Sequence, residues 1–203
     1  MVNVTPLPIE APPDRHPALA VADGIMAHVP GAQEAIDAVL QVLRSAGTLP
    51  PRLVELLRIR IAFHNQCRVC MSGRYLPDVV GEDLVCALEQ PADGPGLTDA
   101  ERAALRFGDL FATDHLSIDA GVYAELRQHF AESQLVELGL YCSYLVGQGR
   151  LSATWGIDEQ LPAGFLGEQG EVVTPWRQAE VLHLVPGEMA VVARVREPDQ
   201  VVG

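Results

Sequence analysis

Apolar residues recur at three- and four-residue intervals over most of the chain, the period of helices that bury one face. From Ala32 to Ser45 the stripe is Ile36, Val39, Leu40 and Leu43, and Gly47 stands where a C-terminal cap belongs. Pro50 and Pro51, behind Thr48, suit a first helical turn, and Leu53, Leu56, Leu57 and Ile61 carry a second stripe up to Asn65. Asn65-Gln66 reads as a corner. A short helix is predicted from Cys67 to Tyr75, ending before Pro77, and another from Asp78 to Leu88. Thr98 to Glu101 matches a capping box, with Ala104, Leu105, Leu110 and Phe111 behind it. Asp119 to Phe130 follows, and then Ser133 to Leu151, apolar on several faces and therefore expected to be central.

The two ends break this pattern. Residues 1–31 are proline-rich and predict an irregular arm with a short turn at Leu19 to His28, carrying no chemistry. After Trp155, Glu180 to Val185 and Met189 to Val195 are β-rich and joined by Pro186-Gly187, so residues 158–203 predict an extension ending in a β-hairpin. A lone hairpin is marginal and must pack on the body or on a neighbouring subunit. The body, residues 32–157, is one all-α helical bundle, which 203 residues at 48% hydrophobic content can furnish with a single core.

Charge narrows the partners. With 14 Lys and Arg against 27 Asp and Glu, the formal charge of −13 disfavours nucleic acid and anionic membrane surfaces. There is no basic leader followed by an apolar run, nor about 18 consecutive apolar residues, so a cytoplasmic protein is expected. Four cysteines are too few for a disulfide scaffold in a chain this long. A closely spaced pair in a reducing compartment points to catalysis or metal binding.

Cys67 and Cys70 form such a pair. At a helix start the free N–H groups and dipole favour thiolate at the first cysteine, and Arg68 and Arg74 add positive charge. Cys67 is thus the expected nucleophile and Cys70 its resolving partner. Two plainer readings remain: both are small core residues, or they are half of a zinc site. Cys86, Cys142 and the histidines lack the paired spacing of structural zinc sites, so neither metal nor cofactor is expected. Phe63, Phe107, Phe111 and Tyr141 sit at core spacings, and a small apolar pocket beside Cys67 is the default ligand site.

Glu55, Arg58 and Cys67-x-x-Cys70, together with Leu97 to Arg106, Leu135 to Leu138 and Arg150 to Ala153, resemble the carboxymuconolactone decarboxylase and alkylhydroperoxidase D-like family over residues 32–157. The resemblance implies an alkylhydroperoxidase D-like helical fold that assembles into trimers or hexamers. It also implies a peroxidase whose thiols are re-reduced by a dithiol, a lipoyl group or a thioredoxin-like donor. In such peroxidases a glutamate twelve residues before the first cysteine and a histidine four after the second relay protons. Glu55 matches, but Arg74 stands at the histidine position, and arginine does not give up its proton. If the chain folds back at Asn65-Gln66 in two helices, a rise of about 1.5 Å per residue brings Glu55 and Arg74 to similar heights, which predicts an ion pair between them near Cys67. His64 is the leading replacement base by proximity, with Tyr75, His115 and His129 as others.

The leading functional expectation is a thiol-dependent oxidoreductase that reduces a hydroperoxide through a Cys67/Cys70 disulfide cycle. An alternative keeps the fold without the redox cycle: Arg58 and Arg74 bind a small carboxylate substrate while Glu55 or His64 handles protons. The third is an oligomeric redox sensor whose hairpin engages a partner.

Overall fold

The computed structural model describes residues 2–13, 15–168 and 170–184. Its helices are α1 (Pro17–Met26), α2 (Ala32–Ala46), α3 (Pro51–His64), α4 (Arg68–Ser72), α5 (Glu82–Ala87), α6 (Asp99–Thr113), α7 (Ala120–Leu126) and α8 (Glu132–Ala153). Two short strands, β1 (Gly73–Arg74) and β2 (Leu182–His183), pair in parallel.

The central helix is α3, buried on nearly every face. Leu53, Leu56, Leu57, Ile59 and Ile61 are enclosed by Leu105 and Phe107 of α6 and by Leu138, Tyr141 and Cys142 of α8. Each such side chain contributes about 1.5–3 kcal/mol of burial. Pro51 occupies the first helical position, and the chain before it is held by α8, where Glu137 accepts the N–H groups of Thr48 at 2.7 Å and Leu49 at 3.3 Å. Gly108 lets α6 close on α3, because a Cβ there would lie 2.9 Å from Leu57 Cδ2. The expected capping box of α6 is present, with Thr98 Oγ1 accepting from Glu101 N–H and Glu101 returning to Thr98 N–H.

α3 stops at the predicted corner. Gln66 takes a left-handed φ of 49°, and Cys67 N–H reaches back to the Ala62 carbonyl at 3.1 Å. The Gln66 side chain fixes the turn by donating to the Phe63 carbonyl and accepting from Val173 N–H.

Several expectations are corrected. α8 is not the central helix: Val136, Leu140 and Leu151 face outward, so its all-round apolar character fills one core face and leaves another exposed. The arm is not wholly irregular, since α1 begins with Pro17 at its first position and His16 Nδ1 accepting from Ala18 N–H, and Leu19 and Ile25 are buried. The cysteine helix ends at Ser72 rather than Tyr75, because Gly73 and Arg74 turn extended to pair with β2. The first strand expected of a hairpin is therefore a parallel partner of β1. The second, Met189 to Val195, lies outside the described residues. Extension residues 161–176 also cover the cysteine corner, with Phe165 fully buried beside Met71, Ala62 and Val173, and Trp176 against Phe63 at 4.5 Å.

Candidate active site

Cys67 is the N-cap of α4 and is disulfide-bonded to Cys70, with the Cα atoms 5.2 Å apart. The Cys67 sulfur also accepts the Cys70 N–H at 3.3 Å. The two cysteines differ in burial: Cys67 is 1% exposed and borders one opening, whereas Cys70 is half-buried and forms part of the wall of another.

Beneath the pair lies a buried ion pair on α3. Arg58, 4% exposed, donates from Nε and Nη2 to the carboxylate of Glu55, 2% exposed, at 2.7 and 2.8 Å. Arg58 then ties this pair to the cysteine turn, donating from Nη1 to the Cys70 carbonyl at 2.6 Å and from Nη2 to the Gly73 carbonyl at 2.7 Å. Its guanidinium lies 4.6 Å from the centre of the Tyr75 ring, and Tyr75 N–H completes the Glu55 shell at 2.9 Å. Burial pushes the Glu55 carboxyl upward, but the charge and hydrogen bonds of Arg58 and the Tyr75 N–H outweigh it and hold the group below its usual range. Burial raises the Tyr75 phenol, which stays protonated at neutral pH.

The cavity beside Cys70 has a volume of about 130 Å³ and lies between α1, α3, α4 and α8. Leu19, Met26, Val69, Leu145 and Trp155 supply apolar wall, and Asn65, Arg58, Tyr75, Tyr144 and Gln148 supply polar atoms. An Arg15–Asp23 ion pair at 2.7 Å, both from the N-terminal arm, forms part of its rim. A larger opening of about 680 Å³ adjoins Cys67 on the other side, where Arg68 donates to the carbonyls of Gly167 and Glu168, each at 3.0 Å.

No family model matches the chain. Two uncharacterized proteins of Mycobacterium tuberculosis, from strains CDC 1551 and H37Rv, are each 35% identical over 95 residues, 44% of this chain and 33% of theirs. The chain thus spans about a third of the length of the curated relatives it matches. A solved structure, a protein of unknown function from Agrobacterium tumefaciens described as a candidate antioxidant defence protein AhpD, superposes with a TM-score of 0.53 at 20% identity. That match covers 68% of this chain and 94% of the other. The chain has the AhpD-like fold.

On this AhpD-like frame the residues singled out from sequence fall into two groups. Cys67, Cys70, Glu55, Arg58 and Tyr75 come together. Arg74 does not join them: 1% exposed, it donates to Glu82 at 2.7 Å and to the carbonyls of Met71 at 2.7 Å and Pro175 at 2.8 Å. The expected Glu55–Arg74 ion pair is replaced by Glu55–Arg58, because α4 ends before position 74 and the height argument needed a helix there. Arg74 reaches Glu55 only through longer-range charge. His64 also turns away, its Nε2 lying 2.7 Å from Asp109 Oδ1 beside the Arg60–Asp109 pair. His115 and His129 are exposed, and among the described residues no histidine lines the Cys70 cavity.

Among the described residues no group of three metal-binding side chains is assembled, and no helix is long and apolar enough to cross a membrane. Cys142 is buried in the core, with its thiol pushed up to about 12. The arm's contribution of Leu19, Arg15 and Asp23 was missed by counting prolines, although Ala18, Leu19, Ala22 and Ile25 carry a helical spacing behind Pro17.

Proposed function

We propose that this protein is a thiol-dependent oxidoreductase in which Cys70, at the cavity wall, meets the substrate and Cys67 is the resolving thiol. The observation that carries this reading is the unequal burial of the two bonded cysteines, 1% exposed at Cys67 and half-buried at Cys70. Helix-start position and the nearby Arg68 and Arg74 favoured Cys67 as nucleophile, but a cysteine only 1% exposed is poorly placed to meet a substrate. The N–H of Cys70 on the Cys67 sulfur instead suits Cys67 to be a stabilised thiolate, both as leaving group and as resolving nucleophile.

In the reduced protein the Cys70 thiolate attacks the distal oxygen of a hydroperoxide; the S–O bond forms, the O–O bond breaks and the alkoxide leaves. Cys67 thiolate then attacks the Cys70 sulfenic acid, forming the disulfide and releasing water after protonation. A dithiol, such as a lipoyl group or a thioredoxin-like donor, attacks Cys70 and expels the Cys67 thiolate. With Arg74 in the place of a relay histidine, the alkoxide draws its proton from solvent, so turnover is slower than with a dedicated relay.

Decarboxylase-like chemistry on a small carboxylate finds less support, since Arg74 is fully engaged away from the cavity and Arg58 and Arg15 are each already paired with a carboxylate. The same proposal includes a homo-oligomer, a trimer or hexamer, consistent with the exposed Val136 and Leu140 on α8 and Val39 and Val42 on α2. The test is steady-state consumption of tert-butyl hydroperoxide with dihydrolipoamide or thioredoxin as donor. Turnover that is lost in Cys70→Ser supports the reading. A stoichiometric burst without turnover rejects the peroxidase cycle and leaves a redox sensor.

A further inference from the structure

The cavity beside Cys70, at about 130 Å³, is smaller than the roughly 300–1,000 Å³ of pockets that enclose a drug-sized ligand. It has room for a small hydroperoxide but not for a dithiol presented by another protein, which must also reach Cys70. One wall is α1, through Leu19, Ala22, Asp23 and Met26. The main core, built on α3, α6 and α8, includes no described residue of the arm. α1 docks instead through three small clusters: Ala18 with Met71 and Phe165, Leu19 with Tyr75 and Leu184, and Ile25 with Trp155 and Ile157. Val69, the residue before Cys70, packs against all three, so the cysteine turn is the seat of the helix. The described hydrogen bonds of residues 15–28 stay within the arm, among them Arg15 to Asp23, His28 with the Thr5 carbonyl, and Leu7 N–H to the Gly24 carbonyl. Gly24 permits that crossing, since a Cβ there would stand 2.7 Å from the Leu7 carbonyl oxygen. Polar contacts tie the arm to the body at Asn3, which donates from N–H to the Trp155 carbonyl at 2.7 Å and from Nδ2 to that of Thr154 at 2.8 Å. A helix that carries its own polar partners and stays out of the main core opens at lower cost than the body.

We infer that α1 is a lid over Cys70, closed for the hydroperoxide and open for the dithiol donor. This inference rests on the thiol-dependent reading above and deepens it by assigning the two half-reactions to two states of the arm. With α1 docked, a small hydroperoxide meets Cys70 inside the cavity. With α1 lifted from Val69, Cys70 faces solvent and the donor can approach. The donor thiolate then forms an S–S bond to Cys70 as the Cys67–Cys70 bond breaks and Cys67 leaves as thiolate. The donor's second thiolate displaces Cys70, which leaves both cysteines reduced and the donor oxidised. The helices of the main core keep their packing throughout, because the arm supplies none of it. Ala18, Leu19 and Ile25 set how often the lid opens.

The experiment alkylates the reduced full chain with iodoacetamide and with an iodoacetamide carrying a polyethylene-glycol chain, and reads modification of Cys70 by peptide mapping. In wild type the large reagent should react at about a tenth to a thousandth of the rate of the small one, the population range of a minor open state. Ile25→Ala removes a docking side chain that does not line the cavity and leaves a better helix former in α1. It should raise the large reagent's rate by about tenfold or more and leave the small reagent's within about twofold. It should also speed reduction of the oxidised protein by thioredoxin, with the rate of oxidation by tert-butyl hydroperoxide unchanged. Equal rates for the two reagents in wild type would overturn the lid, and so would thioredoxin reduction that stays constant while large-reagent labelling rises. Native-state hydrogen exchange needs no variant: a ten-residue helix does not hold its amides once undocked, so Ala22 to Met26 should exchange through an opening well below that of Ile59 and Ile61 in α3. Exchange of these α1 amides only on global unfolding overturns the inference even if Ile25→Ala does not fold. A lid that opens in a protein that consumes no hydroperoxide rejects the peroxidase reading and leaves α1 as the gate to the disulfide.

Discussion

Replacing Glu55 by glutamine removes one charge from the most enclosed ion pair and leaves its shape almost intact. The amide oxygen can still accept from Tyr75 N–H, but Arg58 keeps its charge with only the carbonyls of Cys70 and Gly73 as described acceptors besides the amide. Both side chains are nearly sealed from water, at 5% and 2% exposure. Breaking a buried pair on one side costs about 3–5 kcal/mol. An unfolding entropy of about 2.1 cal/mol/K per residue gives about 0.4 kcal/mol/K for this chain, so Tm should fall by about 7–12 °C. Scanning calorimetry of the oxidised proteins measures it, with Glu132→Gln, whose partner Arg127 is exposed, as a control that should leave Tm unchanged.

The pH dependence gives the same claim a sign. Glu55 in the folded chain lies below its ordinary value of 4.5, so its contribution is fully present above that value and is lost as pH falls through the folded pKa. The Tm difference between wild type and Glu55→Gln should therefore be full at neutral pH and shrink on acidification below about 4.5. Adding Arg58→Met should recover much of the loss, because an uncharged side chain leaves no buried cation. A drop below about 2 °C, or a difference that does not change with acid, would refute the reasoning.

Three further outcomes follow from the site. Arg74→His should not raise hydroperoxide turnover and should lower Tm, since it orphans the buried carbonyls of Met71 and Pro175 at about 1–3 kcal/mol each; a gain of about tenfold in turnover would return position 74 to the reaction. In the reduced native protein, peptide mapping after iodoacetamide should find Cys70 labelled first, Cys67 later and Cys142 only on unfolding; labelling of Cys142 as fast as Cys70 contradicts the burial argument. His64→Ala should lower Tm modestly by loosening the Asp109 cluster while leaving the Cys70 oxidation rate within about twofold, and a loss of about tenfold would make His64 a participant.

The periodic core was legible where burial is a local property. The stripe of Leu53, Leu56, Leu57 and Ile61 gave α3, Thr98 and Glu101 gave the start of α6, and Asn65-Gln66 gave the corner. What escaped depends on distant partners. Arg74 leaves the helix because residues 182–184, more than a hundred positions later, pair with its backbone. Glu55 meets Arg58 rather than Arg74 because one helical turn is shorter than any route around a corner. A small pocket beside the cysteines was expected, but its lining was illegible for the same reason: the walls come from an arm dismissed for its prolines, from α8, and from Asn65, recognised only as a turn residue. Helical spacing also does not say which side of α8 the core occupies, so its outward Val136 and Leu140 looked like the inward ones.

The central claim is that Cys70 takes the oxidant and Cys67 resolves it. One equivalent of tert-butyl hydroperoxide is added to reduced wild type, Cys67→Ser and Cys70→Ser, with a sulfenic-acid trap present, and the tryptic peptides are read by mass spectrometry. Wild type should return the Cys67–Cys70 disulfide, Cys67→Ser should carry the trapped sulfenic acid on Cys70, and Cys70→Ser should stay reduced. Sulfenic acid on Cys67 in the Cys70→Ser protein, with none on Cys70 in Cys67→Ser, would contradict it.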